Sequence, residues 1–204
     1  MLNSFDKISF FYDFLAKLIF GAHIIDSQKY FLNKIQSHSK VLILGGGTGW
    51  LLAELLTEKP NCEVWYVEAS AKMIIRSRNR IVQGQAVHFI HGTEDDIPQT
   101  LNFDVAITNF YLDLFSSLSL PLVINKIQRS LKPGSLWIVT DFVKNKKWWQ
   151  ASMLKIMYWF FRSTCGIEST GLPPWPVLIG DAGFAKVSSK FFYKNFIEAV
   201  VWRY

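Results

Sequence analysis

The sequence predicts an α/β fold with one doubly wound, Rossmann-like parallel sheet. Short apolar runs rich in Val, Leu and Ile alternate with helical patterns along the 204 residues, which is typical of parallel strands joined by crossover helices. A glycine-rich turn separates the first run from the first helical pattern. Half of the residues are apolar, so the chain can bury one substantial core in a single domain that spans residues 1–204.

The first strand and helix form the start of a βαβ unit. Val41 to Leu44 is a short apolar run that ends at glycine, and helical periodicity begins at Leu51. Gly45, Gly47 and Gly49 lie between them. Because glycine lacks a Cβ atom, the backbone can turn sharply there and a ligand can lie against it. We therefore expect a ligand over this turn.

The second strand ends in an acidic residue. Val64 to Val67 is apolar and is followed directly by Glu68. Parallel strands end at the same edge of a sheet, so Glu68 is expected close to the glycine-rich turn. Its two carboxylate oxygens can accept hydrogen bonds from both hydroxyl groups of one ribose. The second strand thus predicts a ligand with an unphosphorylated ribose.

The spacing of the glycines separates two classes of nucleoside ligand. Dinucleotide-binding turns carry G-x-G-x-x-G, in which the last glycine brings the helix close to the strand beneath a pyrophosphate. Trp50 occupies that position here, which counts against a nicotinamide-dependent oxidoreductase. The pattern G-x-G-x-G from Gly45 to Gly49 instead resembles motif I of the class I S-adenosylmethionine (SAM) methyltransferases. The resemblance implies SAM as the cofactor.

The resemblance to these methyltransferases extends over most of the chain. It implies a mostly parallel, seven-stranded sheet with an antiparallel last strand. The third, fourth and fifth strands are expected at 87–90, 103–109 and 135–142, the fifth after the turn at 131–134. Alternating apolar positions that follow Asp181 to Ala185 and continue through Trp202 resemble the closing hairpin of the family.

The resemblance also implies a set of cofactor contacts along one edge of the sheet. Residues 91–98 lie where the family often contacts adenine through an acid. Thr93 replaces that acid, so we expect Asp95, Glu94 or a backbone group to meet the exocyclic amine. The cofactor contacts carried over in this way are Gly45, Gly46, Gly47, Gly49, Glu68, Ala69, Met73, Thr93, Glu94, Asp95 and Asn109.

The N-terminal residues predict a helical lid over 1–36. Their apolar side chains are too many for one narrow stripe, which favours packing over the ligand edge of the sheet. Tyr12 and Asp13, with a second helix near Ser27 to Ile35, resemble the lid of the ubiquinone and menaquinone biosynthesis C-methyltransferases and their small-molecule relatives. The resemblance implies that Tyr12 reaches the amino acid end of SAM. Alternatively, Tyr12 is an amphipathic side chain at the edge of the lid.

The candidate catalytic residues follow the fourth strand. The SAM sulfonium is already a strong electrophile, so the protein has mainly to align a nucleophile with the methyl carbon and exclude water. Ligands meet the carboxyl edge of such sheets, where Tyr111 and Asp113 could orient or deprotonate the acceptor. Either residue equally suits the start of a helix, Asp113 through its charge.

Two methyltransferase subclasses are disfavoured. Enzymes that methylate amines of nucleobases or protein amides carry N-P-P-Y or D-P-P-Y after the fourth strand, whereas residues 109–112 lack both prolines. The metal-dependent catechol type needs an acid at the end of strand four and an Asp-Asn pair at the end of strand five. This chain has Asn109 and the pair Asp141-Phe142 instead, so we expect no metal ion.

The positive charge is concentrated in the C-terminal third of the chain. Residues 142–204 carry the whole net charge of +6, since the remaining residues are neutral in sum. Within a predicted helical insertion at 143–170, the segment Lys144–Phe161 combines lysines with aromatic side chains. This segment either contacts an anionic membrane surface or forms a lid over the substrate. Nucleic acid is disfavoured because the first two thirds of the chain are neutral.

The predicted location is the cytoplasm, with the inner face of a membrane as a peripheral site. Asp6 and Asp13 interrupt the first apolar stretch, so no secretory signal is expected. No apolar run reaches the length of a transmembrane helix.

The sequence therefore predicts a SAM-dependent methyltransferase that acts on a small, apolar molecule, such as a quinone precursor or a lipid, by in-line displacement. The alternative is a SAM-binding sensor or scaffold without transferase activity. Turnover separates these two functions, whereas the fold and the cofactor motif do not.

Overall fold

The computed structural model describes residues 21–144, 147–165, 169 and 171–204, without the side chains of residues 160, 161, 164 and 165. The described strands are β1 (Lys40–Leu44), β2 (Glu63–Glu68), β3 (Val87–His91), β4 (Phe103–Asn109), β5 (Leu131–Phe142), β6 (Ala185–Phe192) and β7 (Ile197–Arg203). They form one sheet in the order β3-β2-β1-β4-β5-β7-β6. Strands β1 to β5 pair in parallel, and β7 is antiparallel to both of its neighbours. The predicted α/β fold is confirmed, including the antiparallel last strand.

Helices connect the parallel strands and cover both faces of the sheet. They are α1 (Ala22–Lys29), α2 (Trp50–Glu58), α3 (Ala71–Arg78), α4 (Leu120–Arg129), α5 (Trp148–Cys165) and α6 (Trp175–Asp181). Short 3₁₀ helices lie at Leu32–Lys34, Glu94–Asp96 and Leu112–Leu114. A parallel pair of strands requires a crossover, which α2, α3 and α4 provide for β1–β2, β2–β3 and β4–β5.

The core has one layer on each face of the sheet. Successive residues of a strand point to opposite faces, so Leu42 and Leu44 pack towards α4 and α6, whereas Val41 and Ile43 pack towards α2. A third cluster lies at the carboxyl edge, where α5 contributes partly buried side chains. Its buried members are Ile24, Phe110, Phe142, Phe196 and Ile197.

The strand order places a crevice between β1 and β4. Strand β1 is followed along the chain by β2 on one side, while β4 lies on its other side. Leu44 and Thr108 are paired at the ends of the two strands, so the loops that begin at Gly45 and Asn109 are neighbours. Ligands of open α/β sheets bind at such a switch point.

Two boundaries differ from the sequence predictions. The second N-terminal helix was expected near Ser27 to Ile35, but α1 covers Ala22–Lys29 and a 3₁₀ helix follows. The chain leaves α1 because Phe31, Leu32 and Ile35 are buried against the sheet. This part of the predicted boundary is wrong, although a helical segment is present.

Strand β5 begins at Leu131, so it includes the predicted turn at 131–134. Leu131 pairs with Phe103, and the pairing resumes at Leu136 with Val105, so the turn residues form an irregularity inside the strand. Gly134 has a φ of 82° and donates its N–H to the Tyr204 carbonyl oxygen at 2.8 Å, which keeps the turn against the C-terminal residues. The expected start at Ser135 is therefore wrong.

The predicted helical insertion contains α5, which lies between β5 and β6 in the chain. Residues 1–20, including Tyr12, lie outside the described residues, so the N-terminal lid stays a prediction. Within the described part of the chain, no helix is both long and apolar enough to cross a membrane. The cytoplasmic location also stays a prediction.

Candidate functional site

The turn between β1 and α2 adopts backbone conformations that favour glycine. The φ angle is 64° at Gly45, 64° at Gly47 and 78° at Gly49. These values lie in the left-handed region, in which a side chain is strained. The Gly45 N–H donates to the Val67 carbonyl oxygen at 2.9 Å and so ties the turn to the end of β2. The sharp turn expected from the sequence is confirmed.

Side chains of the protein itself fill the space beside most of these glycines. A Cβ atom on Gly46 would overlap the ring of Tyr66, one on Gly49 would overlap Ser77, and one on Gly45 would lie 2.6 Å from Cδ2 of Tyr111. On Gly47 the nearest atom would be Sδ of Met73 at 3.8 Å, which is an ordinary contact. The expectation that Gly45 and Gly49 leave room for a ligand is therefore corrected. They leave room for Tyr111 and for α3.

Glu68 extends from the end of β2 to the glycine-rich turn, as predicted. Its Oε2 accepts the Gly47 N–H at 2.9 Å and its Oε1 accepts the Ser70 N–H at 2.8 Å. The side chain is buried, and burial raises the pKa of Glu68 while the N–H groups of Ser70 and Gly47 oppose that shift. Each oxygen keeps a further acceptor position. Glu68 thus fixes the turn and can still accept hydrogen bonds.

The predicted contacts Ala69 and Met73 lie close to Glu68, around the start of α3. Ser70 begins α3 by accepting the Met73 N–H on its Oγ at 3.2 Å, which orients the first turn of the helix. Met73 is buried, with its sulfur towards Gly47. The Ala69 carbonyl oxygen lies 3.0 Å from Nε2 of His91, the last residue of β3. Backbone and side chains of three segments therefore meet here.

Thr93 and Asp95 are occupied by contacts within the protein. Thr93 caps the 3₁₀ helix by accepting the Asp95 N–H on Oγ1 at 3.3 Å, and it donates its own N–H to Oδ2 of Asp96 at 2.9 Å. Asp95 is exposed and forms an ion pair with Lys126 of α4. The polar contacts of both residues are thus made within the protein, and none of these contacts directs a side chain towards the crevice.

Glu94 connects this segment to the residues after β4. Its Oε2 accepts the Tyr111 hydroxyl at 2.8 Å, and its Oε1 lies 3.8 Å from Nζ of Lys126. Burial and the negative charge of Glu94 hold the pKa of Tyr111 well above its usual value. The Tyr111 phenol is therefore a fixed hydrogen-bond donor, with its ring against Gly45.

The residues directly after β4 combine backbone strain with an unpaired polar atom. Phe110 has a φ of 50°, which is rare for a bulky residue and is typical of functional sites. Its N–H donates to the Thr140 carbonyl oxygen at 2.7 Å, which continues the sheet past Asn109. Oδ1 of Asn109 is buried and has no hydrogen-bond partner among the described residues.

Two buried carboxyl groups lie next to this segment. Oδ2 of Asp141 accepts the N–H of Leu112 at 3.0 Å and of Asp113 at 3.3 Å. Burial raises the pKa of Asp113 to about 7, and burial together with the charge of Asp113 raises the pKa of Asp141. The hydroxyl of Tyr158, on α5, donates to the Asp113 carbonyl oxygen at 3.4 Å. Asp113 lies in the 3₁₀ helix at Leu112–Leu114 and Tyr111 precedes it, so both also occupy the predicted helix-start positions.

Sequence reasoning missed Asp141, Tyr158 and the bond between Glu94 and Tyr111. A carboxylate inside the apolar run that ends β5 was an available signal for Asp141, because unpaired charges are seldom buried. Tyr158 lies among many aromatic residues of α5 and carried no such signal. The Glu94–Tyr111 bond joins residues on different loops, which no local pattern reveals.

Comparison with known proteins finds a family model that matches part of this chain. Residues 41–134, from β1 to the turn within β5, match the model of a methyltransferase domain. Carboxy-S-adenosyl-L-methionine synthase of Nautilia profundicola is 26% identical over 202 residues, and the alignment covers 88% of this chain and 82% of that protein.

Solved structures of methyltransferases share the fold. The Burkholderia thailandensis 1,6-didemethyltoxoflavin-N1-methyltransferase, with its substrate and S-adenosylhomocysteine bound, aligns with a TM-score of 0.70 at 15% identity and covers 99% of this chain and 87% of its own. The N-methyltransferase NodS of Bradyrhizobium japonicum, in complex with S-adenosylhomocysteine (SAH), aligns with a TM-score of 0.65 at 12% identity and covers 88% of this chain and 83% of its own.

The residues at the β1–β4 crevice fit the chemistry of SAM. Glu68 retains acceptor positions that suit ribose hydroxyls, and a Cβ atom on Gly47 would make only an ordinary contact with Met73. Oδ1 of Asn109 is a buried acceptor without a described partner, for which an ammonium group would be a donor. The domain match over residues 41–134 agrees with the fold, which is that of SAM-dependent methyltransferases, and with the chemistry of this crevice.

Proposed function

We propose that the chain transfers the methyl group of SAM to a small, mainly apolar molecule, such as a quinone precursor or a lipid. The observation that carries this proposal is the acceptor side, which we define as residues 109–113, the third core cluster and the adjoining face of α5. Ring centroids of Phe110 and Phe142 are 4.9 Å apart, and those of Phe142 and Phe196 are 5.0 Å apart. These rings are buried and packed against one another beside residues 109–113, so an acceptor bound next to them would contact mainly apolar side chains.

SAM would bind at the cofactor side of the crevice. We define the cofactor side as the glycine-rich turn, Glu68 to Met73 and residues 91–95. Glu68 is proposed to accept the ribose hydroxyls, and Met73 with Ala69 to contact the adenosine. Glu94 is less available to adenine than the sequence indicated because it accepts the Tyr111 hydroxyl. A backbone group is then the better partner for the adenine ring, although the N–H groups of Gly92 and Thr93 already donate to the Glu68 carbonyl oxygen and to Asp96. Gly45 to Gly49, Asn109 and Tyr12 are proposed to surround the amino acid end.

Asp113 is a better candidate than Tyr111 for a direct part in the reaction. SAM supplies an electrophilic methyl carbon when it is bound, and the protein aligns the acceptor and excludes water. The Tyr111 hydroxyl already donates to Glu94 and keeps its proton, so Tyr111 acts by shaping the turn at Gly45. Asp113 has a buried oxygen with no described partner, which leaves it available to an acceptor group.

Carboxy-SAM synthesis, the activity for which the Nautilia relative is named, is the second candidate because that relationship covers 88% of this chain. An additional carboxylate on the cofactor would need a cationic partner. Instead, Asp113 and Asp141 lie on the acceptor side, and neither forms an ion pair within the described residues. These carboxyl groups favour methyl transfer over the synthesis of a carboxylated cofactor.

Transfer of labelled methyl from SAM into a cell extract tests the proposed activity. The purified protein is incubated with the extract, and the label is measured in organic, aqueous and acid-insoluble fractions. Glu68→Ala is the inactive variant. Glu63→Ala is the matched control, since Glu63 lies at the opposite end of the same strand and bonds to His88. We expect label in the organic fraction with the wild type and Glu63→Ala but not with Glu68→Ala.

Equal labelling by wild type and Glu68→Ala would contradict the proposed site. Label confined to the aqueous fraction would contradict the apolar substrate while leaving methyl transfer intact. A carboxylated cofactor, detected by mass spectrometry of the reaction, would favour the second candidate.

We also propose that α5 contacts an anionic membrane surface, from which an apolar acceptor would be taken. Trp148, Ile156 and Trp159 are 80%, 67% and 71% exposed, although large apolar side chains are usually buried. Lys155 and Arg162 are exposed beside them, and the described residues of α5 include no acid. A helix with this composition suits the interface of an anionic bilayer, in which tryptophan prefers the headgroup region.

A cleft on this surface of α5 supports the membrane proposal. It has a volume of about 410 Å³, and Lys155, Tyr158, Trp159, Arg162 and Ser163 line it. The hydroxyl of Tyr158 reaches the Asp113 backbone, so one residue of the cleft also contacts the acceptor side.

Cosedimentation with lipid vesicles tests the membrane proposal. Vesicles of phosphatidylglycerol and phosphatidylcholine are compared with pure phosphatidylcholine. We expect the wild type to bind only the anionic vesicles and the double variant Trp148→Ser/Trp159→Ser to lose binding. Leu118→Ser/Val177→Ser is the matched control, because these side chains are 90% and 60% exposed outside α5. Failure of the wild type to bind, or equal loss in the control, would contradict the proposal.

A further inference from the structure

The buried carboxyl groups of Asp113 and Asp141 carry information about the methyl acceptor. Asp113 lies in the 3₁₀ helix after β4, and Asp141 is the penultimate residue of β5. The side chains of both are buried, at 7% and 0% exposure. Among the described residues neither forms an ion pair, and Tyr158 of α5 is the further titratable group that faces them. Two acids therefore share one uncharged environment.

The hydrogen bonds of the two carboxyl groups differ. Asp141 accepts three backbone N–H groups, from Leu112 and Asp113 on Oδ2 and from Phe142 on Oδ1 at 2.7 Å. Such donors favour the ionised form of a carboxyl group. Asp113, by contrast, has a buried Oδ1 without a hydrogen-bond partner in the described residues. Burial and the charge of Asp113 nevertheless raise the pKa of Asp141 well above its usual value, so Asp113 is the member of the pair that exchanges its proton near neutral pH.

The backbone bonds to Asp141 also fix the position of Asp113. They attach the residues after β4 to the end of β5, next to the strained backbone of Phe110. Two unpaired buried oxygens, Oδ1 of Asn109 and Oδ1 of Asp113, consequently lie at either end of one five-residue segment. Buried acceptors of this kind normally have a partner, so a ligand that supplies hydrogen-bond donors matches them.

We propose that Asp113 accepts the proton of a methyl acceptor that bears an N–H or O–H group, and that Asp141 is the positioning residue that holds Asp113 in place. This inference rests on the proposed function and specifies its substrate class. The substrate is an apolar amine or hydroxyl compound, and the methyl group is added to nitrogen or oxygen rather than to carbon.

The step balances with the groups that the site provides. A lone pair of the acceptor nitrogen or oxygen forms the new bond to the methyl carbon, and the carbon–sulfur bond breaks with its electrons returning to sulfur. The proton of the acceptor N–H or O–H moves to the Asp113 carboxylate. The products are the methylated compound, SAH and a protonated Asp113, which releases its proton to water when the product leaves.

The titration of Asp113 suits this task. Burial raises the pKa of Asp113 to about 7, so near neutral pH it is divided between the form that accepts a proton and the form that releases one. Desolvation and the charges of Asp113 and Asp141 raise the pKa of Tyr158, which remains a neutral hydroxyl. Tyr158 therefore does not compete for the proton.

Infrared spectroscopy and product analysis test the inference separately from the cofactor site. The infrared band of a protonated carboxyl group is followed from pH 5 to 9 in the intact protein. We expect a band that disappears with a midpoint at about 7, is absent in Asp113→Asn and persists in Asp104→Asn. Asp104 is the matched control, since it is a partly buried acid at the opposite edge, bonded to Lys132 and Lys40.

The acceptor atom is identified with ¹³C-methyl SAM and a cell extract. Nuclear magnetic resonance of the product distinguishes a methyl group on nitrogen or oxygen from one on carbon. We expect the former, at a rate that Asp113→Asn lowers about 10²–10⁴-fold while calorimetric SAH binding is unchanged. Asp141→Asn is expected to shift the pH profile of the rate as well.

A carbon-bound methyl group, or a carboxyl band that does not depend on Asp113, would overturn this inference. The proposed methyltransferase site would still stand in that case if the wild type binds SAH. Loss of SAH binding in the wild type would instead refute the proposed function itself. The two failures are therefore distinguishable.

Discussion

The cofactor side and the acceptor side are built in opposite ways. On the cofactor side, Glu68 accepts two backbone N–H groups, and neighbouring side chains fill the space beside Gly45, Gly46 and Gly49. On the acceptor side, Asn109 and Asp113 each keep a buried oxygen without a described partner, and Phe110 has a left-handed backbone. The cofactor side is thus formed before its ligand arrives, whereas the acceptor side still lacks donors that a substrate would supply.

The largest expected loss of stability comes from Asp141→Ala, on the acceptor side. Three backbone N–H groups would lose their acceptor within the protein. Each buried N–H group that is left without a partner costs about 1–3 kcal/mol. Urea unfolding should show this loss of stability. The folded fraction of Asp141→Ala should still bind SAH. If SAH binding vanished in folded Asp141→Ala, the two sides would not be separate.

Gly46→Ala is expected to have the next largest effect, on the cofactor side. The added Cβ atom would overlap the ring of Tyr66, which is fully buried. Overpacking of this kind costs about 1–3 kcal/mol. The control is Gly171→Ala, because no atom lies within 4 Å of its added Cβ. Equal unfolding midpoints for the two variants would show that the turn is not packed against β2 as described.

Asp113 should make stability depend on pH in a particular direction. Its pKa is raised from 3.8 to about 7 in the folded state, so between these values the folded chain binds a proton that the unfolded chain has released. Its contribution to stability is therefore greatest at low pH and is lost as the pH rises to about 7, with a slope of about 1.4 kcal/mol per pH unit.

The variant Asp113→Asn removes this dependence. Relative to the wild type, Asp113→Asn should gain stability as the pH rises from about 4 to about 7 and show a constant difference above that. The measurement is urea unfolding of both proteins at several pH values. A difference that does not change with pH would exclude a raised pKa at Asp113.

The smallest effect is expected for Asp95→Ala. Its carboxylate is 68% exposed and pairs with Lys126, so the free energy of unfolding should change by less than about 1 kcal/mol. SAH affinity should change little as well, because the side chain is held by that ion pair. A large loss of affinity, measured by calorimetry, would return Asp95 to the adenine contacts that the sequence predicted.

The sequence predicted that Glu68 meets the glycine-rich turn because the signals for this contact are local. The glycine spacing and Glu68 lie at the ends of two consecutive strands, and a βαβ unit brings such ends together. It predicted the acceptor side only by position. Asp113 depends on Asp141, which is 28 residues away in the chain, and Tyr111 depends on Glu94, 17 residues away. Such pairings arise from tertiary packing, and no periodic pattern encodes them.

The role of the glycines was also only partly predictable. Their positive φ angles follow from the turn that joins a strand to a helix. Whether a ligand, a tyrosine ring or a helix occupies the space beside each glycine depends on residues elsewhere in the chain. Tyr66, Tyr111 and Ser77 occupy it here.

The central claim, a SAM site at the β1–β4 crevice that depends on Glu68, is tested most directly by calorimetric titration with SAH. The wild type and Glu63→Gln should bind SAH with the same affinity, and neither should bind NADH. Glu68→Gln should bind SAH at least about tenfold more weakly, because a neutral amide is a poorer acceptor than a carboxylate for both ribose hydroxyls. Undiminished SAH binding by folded Glu68→Gln, or tighter binding of NADH than of SAH by the wild type, would contradict the claim.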